Sequence, residues 1–275
     1  MKYGIAIRNM GPQSTSKTIR ACAKAAESLG FDALFVSDHL CIPPDDTEGS
    51  GGRYLDVLTT IAYIAGATER IRLGISVLVL PYRPAVLTAK QVATIQELSD
   101  SRMILGVGVG WMKPEFAALG IEKRKRGAIS DETLRVLTHC FANDVASYNG
   151  NLVTFPPFVF APRPPSPPLW IGGQGEPAMR RIAEFNAAGW HPMLPADKLK
   201  PAVTQLKVSL KDKHRDDLEI VVRRGVKFDD IGEAKAKLEA ERDAGATYFI
   251  LDLGRYPSER EFAERAETFM SKVAR

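Results

Sequence analysis

Asp38 and His39 are the first neighbours in the chain whose types and setting suit chemistry. They follow Phe31-Asp32-Ala33-Leu34-Phe35-Val36-Ser37, an apolar run that reads as a buried strand. An imidazole at a strand end can hold a ligand carbonyl or pass a proton near neutral pH; the bland reading is a loop histidine bonded to its neighbour. His191, between Trp190 and Pro192, has a similar address and reads more as packing. His139 within a helix and His214 in a polar run read as structural or solvated. No His, Asp or Glu spacing suits a metal, and no Gly-x-Ser-x-Gly elbow occurs, which disfavours metal-dependent and serine hydrolysis. Cys41 lies near His39, but nothing beside it in sequence activates a thiol.

The second group is made of small residues. Arg72 to Pro81 and Met103 to Trp111 are apolar, β-branched runs flanking a stretch of helical period (Ala85, Leu87, Thr88, Val92, Ile95, Leu98). Ser76 and Pro81 punctuate the end of the first run, and Gly108 and Gly110 that of the second. Without a Cβ, backbone there can approach a flat ligand. Ile171-Gly172-Gly173-Gln174-Gly175 runs into Glu176 and Pro177, where a helix starts. Amides at a glycine-lined helix start make either a phosphate cradle or a plain strand-to-helix turn. Trp111 either walls a flat ring or fills a rim. Lys123, Lys125 and Arg126 either touch an anionic tail or form a solvated face.

These residues need a frame, and the rest of the chain supplies one. Strands are expected near residues 3–7, 31–37, 72–81, 103–111, 169–173, 189–193, 218–226 and 247–253, with a helix after each. Leu40 to Arg53 is long and rich in Gly and Pro, as a functional lid is. Asn149-Gly150 between two short β-type runs predicts a hairpin, and seven of the thirteen residues from Pro156 to Pro168 are proline, an extended, stiff tract. Eight strand–helix units without a sequence repeat specify a single (β/α)8 TIM barrel over residues 1–275, with the hairpin and proline tract inserted between strands 4 and 5. A doubly wound sheet competes, but the turn Asn9-Met10-Gly11-Pro12 lacks a phosphate fingerprint. In such a barrel function sits at the C-terminal strand ends, which selects Asn9, Asp38, His39, Ser76, Gly108 to Trp111, Gly172 to Gln174, His191, Arg223 and Asp252.

The totals bound the rest. With 275 residues, 45% hydrophobic and 25% charged, the chain has the composition of an ordinary globular protein. A net charge of +4 is too small and dispersed to argue for nucleic acid, and suits a small anionic ligand. Three cysteines (Cys22, Cys41, Cys140) form no close pair, and no apolar stretch spans a bilayer; a cytoplasmic protein with no membrane partner is expected.

The chain resembles the bacterial-luciferase-like barrel superfamily, most closely its coenzyme F420-dependent branch. The likeness rests on Val36-Ser37-Asp38-His39, on Ala67 to Gly74 with Ser76-Val77, and on Gly106-Val107-Gly108-Val109-Gly110-Trp111. Asp131-Glu132, Tyr148-Asn149-Gly150, Pro168-Leu169-Trp170-Ile171-Gly172-Gly173 and Gly189-Trp190 follow in order; residues beyond about 195 share only the fold. The resemblance implies a deazaflavin or flavin ring across the barrel mouth, with His39 beside ring or substrate and acting on the substrate, and Asp38 among the cofactor-binding residues. It implies a non-prolyl cis peptide at Ser76–Val77 against the ring, contacts from Gly108, Val109 and Gly110, and a phosphate held by Gly172, Gly173 and Gln174. It also implies F420-dependent hydride transfer with a small substrate, or alternatively FMN-dependent monooxygenation, and a homodimer through the second and third helices. A degenerate barrel serving as a partner subunit is the third reading. Two departures stand out. Trp111 occupies the place of the acidic proton-transfer residue of deazaflavin sugar-phosphate dehydrogenases, and Ser99-Asp100-Ser101-Arg102 replaces the usual Ser-Gly-Gly-Arg.

Overall fold

In a computed structural model that describes residues 1–45, 49–210, 215 and 217–275, the apolar runs pair edge to edge. The first strands are β1 (Lys2–Ala6), β2 (Ala33–Val36), β3 (Arg72–Ile75), β4 (Leu78–Val79) and β5 (Met103–Gly108). After them come β6 (Val145–Asn149), β7 (Thr154–Val159), β8 (Leu169–Gly172), β9 (Gly189–His191), β10 (Glu219–Arg224) and β11 (Tyr248–Leu251). Parallel pairing runs from β1 through β2, β3, β5, β8, β9, β10 and β11, and β11 pairs with β1 again. The sheet is therefore a closed barrel of the expected (β/α)8 class, and closure leaves no sheet edge unpaired.

Helices α1 (Ser16–Ser28), α2 (Val57–Ala65), α3 (Ala85–Leu98), α4 (Lys113–Ala118) and α5 (Arg126–Ala142) follow the first four barrel positions. The remaining helices are α6 (Glu176–Glu184), α7 (Ala196–Ser209), α8 (Ile231–Asp243) and α9 (Glu259–Thr268). Four begin as side-chain chemistry dictates: Thr15, Asp56, Asp230 and Ser258 each accept an amide from the first turn. Helix α5 starts five residues before the expected Asp131, because Lys123–Lys125 already turns as a 3-10 helix and feeds it. The end at Lys211 of the helix expected from Lys198 after the sixth strand, His214, and residues 46–48 of the expected lid lie outside the described residues.

The barrel interior is plugged at its lower end. Phe35 stacks on Trp170 at 5.4 Å and meets Tyr248 edge-on at 5.9 Å. Gly4, Gly74 and Gly189 make room for them: a Cβ at Gly74 would stand 2.1 Å from Phe35 Cε1, and one at Gly189 2.5 Å from Trp170 Cδ1. Below the aromatic rings, Tyr248 Oη donates to Asp32 and Trp170 Nε1 to Glu219. The lower end is thus filled by packed rings whose polar atoms are bonded, which leaves the upper end, where the strands stop, as the place for a ligand.

The third barrel strand is not the continuous run that its sequence suggests. It breaks into β3 and β4 at Ser76–Val77, joined by a non-prolyl cis peptide bond. Leu73 pairs with Met103 but Leu78 with Val107, so the register slips by one residue across the break. The hairpin forms as expected, with Asn149 opposite Thr154, and reaches further than expected, through Pro156 and Pro157 to Val159. Both prolines sit at its register shift, where no ladder amide is required. Glu132 Oε1 accepts from the amides of Leu152 and Val153 and so ties the hairpin turn to α5.

At the lower entrance to β5, the departure from Ser-Gly-Gly-Arg has a physical consequence. Asp100 and Ser101 adopt φ of 52° and 63°, the left-handed region that glycine occupies without a Cβ clash. Arg102 beyond them donates to the carbonyls of Ala65, Thr68, Ile71 and Ser99, which pins the turn whatever residues form it. Ser101→Gly is therefore expected to stabilise the protein by about 0.5–1 kcal/mol, read as a higher urea midpoint at unchanged slope. A lower midpoint would contradict this account of the turn.

Candidate active site at the barrel mouth

The mouth is built from the inside outward, beginning with Val77. Its side chain points into the barrel, where a Cβ on Gly108 would meet Val77 Cγ2 at 2.6 Å and one on Gly172 would meet Val77 Cγ1 at 3.1 Å. A Cβ on Gly106 would lie 2.1 Å from the Ile75 carbonyl oxygen. Gly110, at φ 76°, is likewise closed off by Val79 Cγ1 at 2.6 Å and by Phe116. These glycines admit the protein's own third strand; the expectation that Gly108 and Gly110 leave open space for a ligand is corrected in that respect.

Gly173 differs. It has φ 99°, it is exposed, and nothing lies within 4 Å of where a Cβ would be. Gln174 and Gly175 continue this exposed stretch into α6, whose N-cap residue, Gly175, offers no side chain. Glu176 in the first turn is acidic, so the anion-binding capacity here rests on main-chain amides.

Asp38 is buried, and its carboxylate is taken by the protein itself. It accepts the Val79 amide at 2.9 Å and both terminal nitrogens of Arg83, at 2.6 and 2.9 Å. Arg83 also reaches Asp56 at 2.8 Å. The expected cofactor contact at Asp38 is therefore, in this structure, an anchor that fixes β4 and the Ser76–Val77 link beneath it. Val109, directly after β5, is half-buried.

Ser76 and His191 form a second internal contact. His191 is wholly buried, with Nδ1 3.2 Å from the Val221 carbonyl and Nε2 2.8 Å from Ser76 Oγ. A carbonyl can only accept, so Nδ1 carries the proton and the Ser76 hydroxyl donates to Nε2. Burial, reinforced by the nearby Arg223 charge, lowers the ring's pKa to about 4, so it is neutral. The Ser76 hydroxyl is thus engaged inside the barrel, leaving main chain on its outer side. Arg223 donates to Asp252 at 2.9 Å and to Ser37 Oγ at 2.9 Å, closing the same layer. Asn9 is a tie between strand ends: its amide donates to the Ser37 and Leu55 carbonyls and its oxygen accepts the Ser37 amide.

His39 stands at the rim with Tyr54 at 5.0 Å and Trp111 edge-on at 6.0 Å. Trp111 is 56% exposed, which favours a wall over a filler. Beneath His39 is a residue that sequence reasoning missed. Glu115 in α4 is completely buried, and its Oε2 lies 3.0 Å from His39 Nδ1 and accepts Tyr82 Oη at 2.7 Å. Its Oε1 accepts the amides of Leu40 at 2.5 Å and Cys41 at 3.3 Å. Burial alone would raise this carboxyl's pKa, but the donors from His39, Leu40 and Tyr82 outweigh it and hold it below the ordinary range. A signal was present in the sequence: Glu115 falls between Met112 and Phe116, both buried, in helical phase with the core.

Among the described residues no cluster of His, Cys, Asp and Glu could hold a metal, and no helix is long and apolar enough to cross a membrane. Residues 1–272 match the family described as luciferase-like monooxygenases. An F420-dependent glucose-6-phosphate dehydrogenase of Nakamurella multipartita is 30% identical over 232 residues, 80% of this chain and 63% of that protein. The chain spans 62% of the length of other curated relatives it matches, so it covers under two thirds of several of them. A monooxygenase from Streptomyces bottropensis superposes with a TM-score of 0.86 at 17% identity, over 100% of this chain and 99% of the other. An F420-dependent secondary alcohol dehydrogenase in complex with an F420-acetone adduct gives 0.82 at 15% identity, over 99% and 98%. At these identities the superpositions establish the fold.

Because the His191 ring is held neutral at a pKa of about 4 and its unfolded counterpart titrates near 6.5, the unfolded state binds the extra proton between these values. Stability should fall by about 3 kcal/mol as pH drops from about 6.5 to about 4, and be insensitive to this group above that window. Urea midpoints across the range test it: His191→Gln should flatten the slope, and an unchanged slope would refute the assignment.

Proposed function

This chain belongs to the luciferase-like monooxygenase family, and from that premise we propose that it is an oxidoreductase holding coenzyme F420 across the barrel mouth. The observation that carries this reading is the pairing of two features at one mouth. An open, left-handed Gly173 leads exposed main chain into α6, and His39 stands at the rim beside an exposed Trp111. These residues fit the group: the exposed main chain of the Gly173–Gly175 stretch, beyond the Gly173 amide that donates to the His191 carbonyl, would hold its phosphate, and the main chain of Ser76 and Val77, with that of Val109, would back its ring. The 30% identity to an F420-dependent dehydrogenase favours this cofactor over FMN. When bound, the deazaflavin supplies hydride chemistry at C5; the protein's part is orientation and electrostatics.

What the chain's own residues do follows from their bonding. The Asp38–Arg83 pair keeps the Ser76–Val79 segment in place, because removing either partner strands a buried charge. Trp111 and Tyr54 flank the imidazole and exclude water from one side of it. His39 holds or moves a proton on the substrate, a small organic molecule. We further propose a homodimer through α2 and α3, on whose outer surface Leu87 and Leu98, three helical turns apart, stand exposed.

Titrations of the purified protein with F420 and with FMN, followed by cofactor fluorescence, test the assignment. Micromolar F420 binding is expected, weakened about tenfold in Gly173→Ala because a Cβ at φ 99° is strained and displaces the main chain that would meet the phosphate. Micromolar FMN binding with no F420 binding would instead make the protein an FMN-dependent monooxygenase, and binding of neither would leave a non-catalytic barrel. With the right substrate, His39→Ala should lower kcat by about 10²–10⁴-fold while leaving cofactor affinity within about threefold.

A further inference from the structure

We propose that Glu115 is a positioning residue that fixes the tautomer of His39, keeping the proton on Nδ1 and making Nε2 the lone-pair nitrogen that accepts a proton from the bound substrate. This deepens the functional reading above, on which the word substrate rests; the tautomer itself does not depend on it.

The argument is one of donors and acceptors. Glu115 is entirely buried and receives four groups on its two oxygens. Two of the four, the Leu40 and Cys41 amides, can only donate, and both go to Oε1. Oε2 is left for Tyr82 Oη and His39 Nδ1. A buried carboxyl surrounded in this way is satisfied as the carboxylate, which accepts and cannot donate. The imidazole must then present N–H at Nδ1, and in the neutral ring Nε2 carries the lone pair. The acidic residue that Trp111 displaces at the rim is thereby answered from below: the chain has a carboxylate, but it acts through the histidine. The chain segment concerned is short and stiff, since Leu40 and Cys41 directly follow His39 and hang on the same carboxylate. One side chain therefore orients the ring and anchors the start of the following loop.

Glu115→Gln gives a sharp test, because the two amides have no other choice of partner. They retain the glutamine oxygen, which turns the glutamine NH2 toward Tyr82 and His39 Nδ1. Nδ1 must then accept, and the ring proton moves to Nε2. The experiment is long-range 15N–1H correlation on histidine-labelled protein without cofactor, at a pH above the titration of the ring, with His39 assigned by its loss in His39→Asn. We expect Nδ1–H in the wild type, Nε2–H in Glu115→Gln, and the wild-type pattern in Tyr82→Phe, which keeps the carboxylate. A wild-type proton on Nε2 or on both nitrogens overturns the proposal even if the Gln variant does not fold, and so does a tautomer unchanged in Glu115→Gln. In the cofactor-loaded enzyme, Glu115→Gln should lower kcat by about 10²-fold or more with KM within about threefold. If F420 does not bind, the functional reading fails while the tautomer result stands; if F420 binds and the tautomer is wrong, only the present proposal fails.

Discussion

Close packing of the broken third strand against its glycine-bearing neighbours sets the geometry of the mouth. Val77 reaches into the barrel between β5 and β8, and the chain around it is glycine at Gly106, Gly108 and Gly172, where a Cβ would collide with the Ile75 carbonyl, with Val77 and with the Val107 carbonyl respectively. At the same place the third strand slips register by one residue. Asp38 and Arg83 then hold the break from outside, through the Val79 amide, and the Ser76 hydroxyl holds it from inside, through His191. A surface of bare peptide, fixed on both sides, is what remains for a flat ring to lie on. Close packing makes such an arrangement discrete rather than adjustable.

Around that surface the polar groups divide into those buried among the strand ends and those that stand at the rim. Asn9, Asp38, Ser76, His191 and Arg223 all stand at strand ends, yet their bonds run to other residues of the barrel. His39, Trp111 and the Gly173–Gly175 stretch face outward. The inner group costs desolvation and is satisfied by pairing; its role is to keep the outer group still. Glu115 links the two, being fully buried and bonded to a rim histidine.

Much of this was legible in the residues. Alternation of apolar runs with helical periods gave the barrel, and the rule that function lies at C-terminal strand ends brought together His39, Ser76 and Gly173 before any coordinates. The glycines were recognised as special, but for the wrong partner: sequence cannot reveal that the atom filling the space over Gly108 belongs to Val77, thirty-one residues earlier. For the same reason Arg83 and Tyr82 went unnoticed, since their partners Asp38 and Glu115 are distant in the chain. Glu115 was hidden by its type, because an acidic residue in a short helix ordinarily faces water. The break at Ser76–Val77 came from family likeness, the local run itself reading as an unbroken strand.

The most direct measurement is a crystal structure of the protein with F420 bound. The account predicts the ring against the main chain of Ser76 and Val77, with His39 beside it and the phosphate on the main chain of the Gly173–Gly175 stretch. A ring bound away from the Ser76–Val77 segment, or a phosphate carried by side chains elsewhere on the barrel, would contradict it.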